Sequence, residues 1–263
     1  MQLIEIGRNQ WMFQDKELPQ LTYQEFDAAW DYWDQGDYMH AEKLLRRLIE
    51  YNPSHIDAWN LLSLIFEETS RELEAYLCCR EAVRTGLDVI PKKFNWKTAS
   101  LEWGFLENRP FMRAYHNLGL WHERRNEPQL AIEVYSRLLA VCPNDNLGVR
   151  LILPKLWLET GDLLSVIRHC KSLADEFSPE ILYTYPLALI LSGEHAKAEP
   201  LIEIAKREFP LVAKELMKKR HTRPKSMMPG HITHGGADQA YEYWVEYGKF
   251  WAHSEEAMAL LSR

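Results

Sequence analysis

Four alanines, Ala41, Ala75, Ala131 and Ala198, each follow a helix-sized amphipathic segment and a short turn. Ala41 and Ala75 stand 34 residues apart, and Ala75 to Ala131 is 34 plus an insertion of 22. Ala131 to Ala198 is 67, one residue short of two such periods. A fixed period of this length constrains the chain more than any local propensity, because each repeat buries its core only by stacking on its neighbours. Hydrophobic residues make up 46% and charged residues 26%, so the repeats have enough apolar surface to fold rather than stay disordered.

Each period reads as two helices. Repeat one spans 22–55, with Phe26, Ala29, Trp30 and Trp33, a Gly36-Asp37 turn, then Ala41, Leu44, Leu45 and Leu48. Repeats two (56–89), three (112–145) and five (179–212) place Ser63, Gly119 and Gly193 at small-residue or turn positions and an alanine on each second helix. Antiparallel helices approach closely only where small residues stand, with large ones three or four positions away filling the remaining space. Pro53, Pro143 and Pro210 follow second helices, where the hydrogen-bond ladder has to stop. Repeat four (146–178) is degenerate. Ser165 or Val166 stands where the alanine is missing, and Pro154 is expected to kink or break its first helix. Pro186 and Pro200 raise the same expectation in repeat five, less so Pro200, which lies early in its helix.

The period and the small-residue positions resemble the tetratricopeptide repeat (TPR) family. The resemblance implies an all-α, right-handed TPR-type α-solenoid over 22–220 with a C-terminal capping helix. An N-terminal arm, 1–21, ends near Pro19, and the insertion 90–111 carries Trp96, Leu101, Trp103 and Phe105, too apolar for a linker. A polar loop, 221–236, is marked by Pro229-Gly230 and Gly235-Gly236. Capping helices occupy 237–263, the first with Ala240, Tyr243, Trp244, Tyr247, Phe250 and Trp251 at helical spacing.

A narrower resemblance covers 101–153. Trp103, Glu107, Asn108, Arg109, Pro110, Arg113, Asn144, Asp145, Asn146, Gly148 and Arg150 are similar to the WG, ENRP and NDNxGxR signatures of a group of bacterial TPR proteins without established chemistry. Asn144-Asp145-Asn146 suits a helix-capping turn. Two readings of the arginines stand. Asp145 and Glu107 pair with Arg113 and Arg150 to fix the angle between repeats, or the arginines face a groove and bind a carboxylate.

In TPR proteins the first helices line the concave face, which here implies an aromatic and polar groove. Its candidate binding residues are Trp30, Asn60, Arg113, His116, Asn117, Arg150 and Tyr183. Such a groove suits an extended or helical peptide with an acidic group or a free C-terminus. The carboxylate-clamp pattern of the chaperone-binding TPR subset is not met. Phe26 and Trp30 stand where it needs a lysine and an asparagine, Leu61 stands where it needs the second asparagine, and only Arg113 and Asn117 partly fit.

Other chemistry finds little support. There is no GxSxG, P-loop or GxGxxG, and His122-Glu123 lacks the second histidine of a zinc-protease motif. Cys78, Cys79, Cys142 and Cys170 have no ligand spacing and read as reduced, buried thiols. His221, His231 and His234 read as a solvated loop rather than a metal site, so no metal and no cofactor are expected. A net charge of −7 argues against general nucleic-acid affinity, although the run Lys214, Lys218, Lys219, Arg220, Arg223 and Lys225 is basic. The N-terminus lacks a signal-peptide pattern, and the cytoplasm is the expected location. The expected function is a non-catalytic protein–protein interaction scaffold. The alternatives are an oligomeric structural protein using exposed aromatics, or a nucleic-acid-associated protein using 214–225.

Overall fold

The computed structural model describes residues 1–14, 20–225, 227–228 and 230–263, with the backbone alone at Gln20 and Leu21. Pro19 and Pro229 lie outside the described residues. The chain divides into two compact units, Met1–Val149 and Arg150–Arg263.

The first unit opens with a β-hairpin, β1 (Gln2–Gly7) and β2 (Gln10–Gln14), in the stretch read as an arm. Leu3 pairs with Phe13, and Glu5 with Trp11, so alternation turns Leu3, Trp11 and Phe13 inward. Three helix pairs follow. They are α1 (Gln20–Asp34) with α2 (Tyr38–Tyr51), α3 (Ile56–Glu68) with α4 (Glu72–Leu87), and α5 (Arg109–Arg124) with α6 (Pro128–Val141).

The second unit holds α7 (Val149–Thr160, which begins at the boundary), α8 (Leu163–Ser172), the short α9 (Pro179–Leu182), α10 (Thr184–Leu191) and α11 (His195–Glu208). Three more helices, α12 (Pro210–Leu216), α13 (Ala237–Ala252) and α14 (Glu255–Leu261), complete it. Helix α13 packs on α12, and α14 on α10 and α11. Tyr243, Tyr247 and Trp251 of α13 join the core of the preceding helices, which is how this end is capped.

The alanines do what their spacing implies. Ala41, Ala75, Ala131 and Ala198 are completely buried, and Val166 takes that place in the degenerate repeat. On the first helices, the Ser63 hydroxyl donates to the carbonyl of Ala75 at 2.8 Å. At Gly119 a Cβ would stand 2.3 Å from Cε1 of Tyr135, so only glycine admits that ring. A second regularity runs through the turns. Gly36, Ser70, Asn126, Gly161 and Gly193 join first to second helices, and all have φ between +56° and +82°. The left-handed residue reverses the chain while releasing the helix C-terminus.

The prolines behave differently from one another. Helix α7 runs unbroken through Pro154, so of the kink or break expected there the break is absent. Pro154 has no N–H for the carbonyl of Arg150 one turn back. His169 of α8 supplies the donor instead, with Nε2 at 2.8 Å from that oxygen. Helix α11 likewise continues through Pro200. At Pro186 the expected interruption is present, between α9 and α10 at Tyr183.

The insertion is an ordered loop rather than a longer helix. Leu101 is fully buried, while Trp103 and Phe105 are half-buried. Trp96 lies 5.6 Å from Tyr115 in a stacked arrangement. The four cysteines are free and buried, and burial pushes the thiols of Cys78, Cys79 and Cys170 up to about 12.

Candidate functional site

The first helices of the first unit, α1, α3 and α5, carry most of the expected binding residues. Positions 23, 26 and 30 of α1 share one stripe by helical spacing. Tyr23 is 54% exposed and Trp30 47%, both unusual for aromatic rings with a core available. Phe26 packs on His55 at 5.2 Å, and His55 caps α3 by accepting from Ala58 N–H. Tyr23 and Phe26 border a cavity of about 190 Å³ that Asp27, Asp57, Glu107 and Pro110 also line.

Helices α3 and α5 are joined by three polar rungs. Arg113 Nη2 donates to both carboxylate oxygens of Asp57 at 2.8 Å. Asn117 Nδ2 donates to Asn60 Oδ1 at 2.8 Å. Arg124 Nη1 donates to Glu67 Oε2 at 2.8 Å. Donors at 113, 117 and 124 and acceptors at 57, 60 and 67 each lie along one helix stripe, so the rungs fix the register of α5 on α3. Asn60 is nine-tenths buried, and its amide oxygen depends on this bond.

These contacts reassign several residues. Arg113 is engaged by Asp57, an acidic neighbour that offsets part of its charge. Asn60 is an internal rung rather than a surface group. His116 is mostly enclosed. Its Nε2 is buried without a partner among the described residues, and Tyr135 lies 5.5 Å from its ring. Burial lowers its pKa from the ordinary histidine value. Arg150 belongs to the second unit, where its Nε donates to Glu176 at 3.0 Å. Tyr183 is completely buried there, among Tyr243 and Trp251, and its hydroxyl donates to the carbonyl of Phe209. It is a core residue and lines no groove. Of the expected set, Trp30, Arg113 and Asn117 remain partly exposed on neighbouring first helices.

Three residues of the signature stretch, Asn108, Arg109 and Asp145, hold the structure together. Asn108 is fully buried. It accepts from the backbone N–H of Phe13, and its Nδ2 donates to the carbonyls of Trp11 and Glu102, stapling the hairpin to the start of α5. Arg109 donates to the carbonyl of Trp103 and lies over that indole at 5.2 Å. Asp145, at φ +48°, accepts from the N–H of Val149 and so caps α7.

In the second unit, Lys218 and His221 of the basic segment both reach the buried carboxylate of Glu215. His221 also stacks on Trp244 at 3.7 Å. Lys219, Arg220, Arg223 and Lys225 are exposed.

Two clusters in the first unit escaped the sequence reading. Tyr76, Trp121, Arg124 and Arg125 interleave, with guanidinium groups 5.1 Å from the Trp121 ring and 4.9 Å from the Tyr76 ring. Lys92, Lys93, Phe94, Trp96 and Lys97 form a basic, aromatic wall facing α6. The signal for the second was present, as cations alternating with rings in KKFNWK.

Residues 20–251 match the family described as "Transcriptional repressor TCF25". This segment includes the 101–153 stretch. No curated protein matches the sequence. The fold is similar to the crystal structure of YrrB, a TPR protein with an unusual peptide-binding site. The TM-score is 0.54 at 14% identity, over 71% of this chain and 85% of that one. It is also similar to the crystal structure of MamA, with a TM-score of 0.52 at 16% identity over 77% and 98%. At such identities the likeness speaks for the fold, which is all-α and TPR-type. Among the described residues, no helix is long and apolar enough to cross a membrane.

Proposed function

The chain belongs to the TCF25 family, and on that premise we propose that it is a non-catalytic scaffold that holds a segment of a partner protein against the α1–α3–α5 face. One observation carries this reading. Tyr23 and Trp30 present two large rings on a single stripe of α1, beside the small cavity that Phe26 borders. Exposed aromatic anchors next to a recess are the usual centre of a binding surface. Arg113 and Asn117 flank them. Arg113 spends one guanidinium nitrogen on Asp57 and is 41% exposed, which leaves N–H groups for a carboxylate of the partner. The family's description supplies a context of transcriptional repression. With a net charge of −7 the chain suits that role by holding another protein better than by contacting DNA.

The test is affinity capture from cell extract with quantitative mass spectrometry, comparing the parent with Tyr23→Ala/Trp30→Ala and with Arg113→Ala. Partners specific to the parent are expected to be lost with the aromatic double variant, whose circular dichroism and Tm stay unchanged, and reduced with Arg113→Ala, whose Tm falls modestly as the Asp57 rung is lost. An identical partner set from the folded double variant would remove the α1 face from consideration.

A further inference from the structure

The loop inserted between repeats two and three builds a second surface, on the second-helix side of repeat three and away from the α1–α3–α5 face. One wall of a cleft of about 710 Å³ is the loop itself, and the other is α6. The loop is firmly held. Phe94 is buried edge-on against Trp11 at 5.4 Å and against Trp96 at 5.1 Å. Asn95 turns the chain by accepting from the N–H of Lys97 at 2.9 Å. The backbone therefore presents its lysines in a fixed arrangement.

Charge is concentrated here against the trend of the molecule. Lys92, Lys93, Lys97 and Arg137 line the cleft with a single carboxylate, Glu133, in a chain of net charge −7. Arg137 is paired with Glu133 at 2.6 Å, and Lys93 with Glu5 at 2.7 Å. Lys92 and Lys97 are exposed and carry no ion pair among the described residues. Two unpaired ammonium groups beside a half-buried indole form a surface complementary to negative charge with an apolar neighbour.

We propose that this cleft binds an acidic peptide segment of a partner protein, its carboxylates on Lys92 and Lys97 and an apolar side chain in the cleft beside Trp96. Two observations favour a peptide over a nucleic acid. Base stacking needs a free aromatic face. The Trp96 ring is already engaged by Tyr115 in a stack, by Phe94 edge-on and by the Arg137 guanidinium at 5.4 Å. The net negative charge also opposes a long polyanion, whereas a short segment senses mainly the local field within roughly 8–10 Å at physiological salt.

The probe is a fluorescein-labelled decapeptide of alternating Asp and Glu with one central Phe, titrated with the whole chain and followed by anisotropy. The comparison probes are the same peptide with Asn and Gln replacing the acids, and a labelled oligothymidylate of equal length. The expected result is saturable binding of the acidic peptide that weakens as salt rises. Binding should fall by about tenfold or more with Lys92→Glu/Lys97→Glu, and similarly with the neutral peptide. Both substituted lysines are exposed, so the variant's Tm should match the parent's. Three results would each overturn the proposal: no saturable binding, equal binding by the charge-reversed variant or the neutral peptide, or tighter binding of the oligonucleotide than of the peptide.

Discussion

His169 donates through Nε2 to the main-chain carbonyl of Arg150 at 2.8 Å, the carbonyl that Pro154 leaves without its helical N–H partner. A side chain of α8 thereby completes the backbone of α7, and the proline that threatens the first helix of repeat four becomes the reason its two helices are tied together. Removing the imidazole while keeping the proline strands a half-buried acceptor. His169→Ala is expected to cost about 1–2 kcal/mol. In the Pro154→Ala background the alanine N–H is available to the same carbonyl, so the cost of His169→Ala should shrink. Urea unfolding of the four members of this cycle measures the coupling. Strict additivity would show that the proline and the histidine act independently.

The repeat turns supply a second prediction. Ser70 occupies, at φ +58°, the left-handed position that Gly36, Gly161 and Gly193 hold in other repeats. A non-glycine residue there is held against a cost of roughly 1–2 kcal/mol, since its Cβ crowds the following carbonyl. The greater freedom of glycine in the unfolded chain offsets part of the relief. Ser70→Gly should therefore stabilise the protein by about 0.5–1 kcal/mol. Asn126→Gly should give less, because asparagine tolerates this region better. A fall in the denaturation midpoint of Ser70→Gly would contradict this account of the turn.

The fold was legible because its determinants are periodic. Small residues recur where backbones approach, and a reversing residue recurs in each turn. The candidate site was less legible, because its polar residues are spent on partners that lie one repeat and one insertion away in sequence. Arg113 finds Asp57, Asn117 finds Asn60, and nothing local to Arg113 marks that carboxylate. Tyr183 lies in the core because α13, far along in sequence, covers its ring with Tyr243 and Trp251. The hairpin was missed because it is not autonomous. The free edge of β2 bonds to Ser100 and Asn108, both roughly 90 residues later, so no local pattern announces it.

Burial also biases the protonation of His116. Burial lowers its pKa from the ordinary 6.5, outweighing the opposing influences of Glu123, of Asp145 and of its hydrogen bond with Asn117. The folded protein therefore keeps the ring neutral at a pH where the unfolded chain takes up a proton. Because the unfolded state then binds more protons, this contribution to stability is complete above about 6.5 and is lost progressively as pH falls below that value. Unfolding free energies at about pH 7.5 and about pH 5.5 should differ more for the parent than for His116→Leu, which has no proton to take up. At the higher pH the apolar replacement should change stability by less than about 1.5 kcal/mol, since it removes the bond to Asn117 but also a buried Nε2 that has no partner among the described residues. A variant whose stability falls with acid as steeply as the parent's would show that burial of His116 does not contribute to the acid sensitivity.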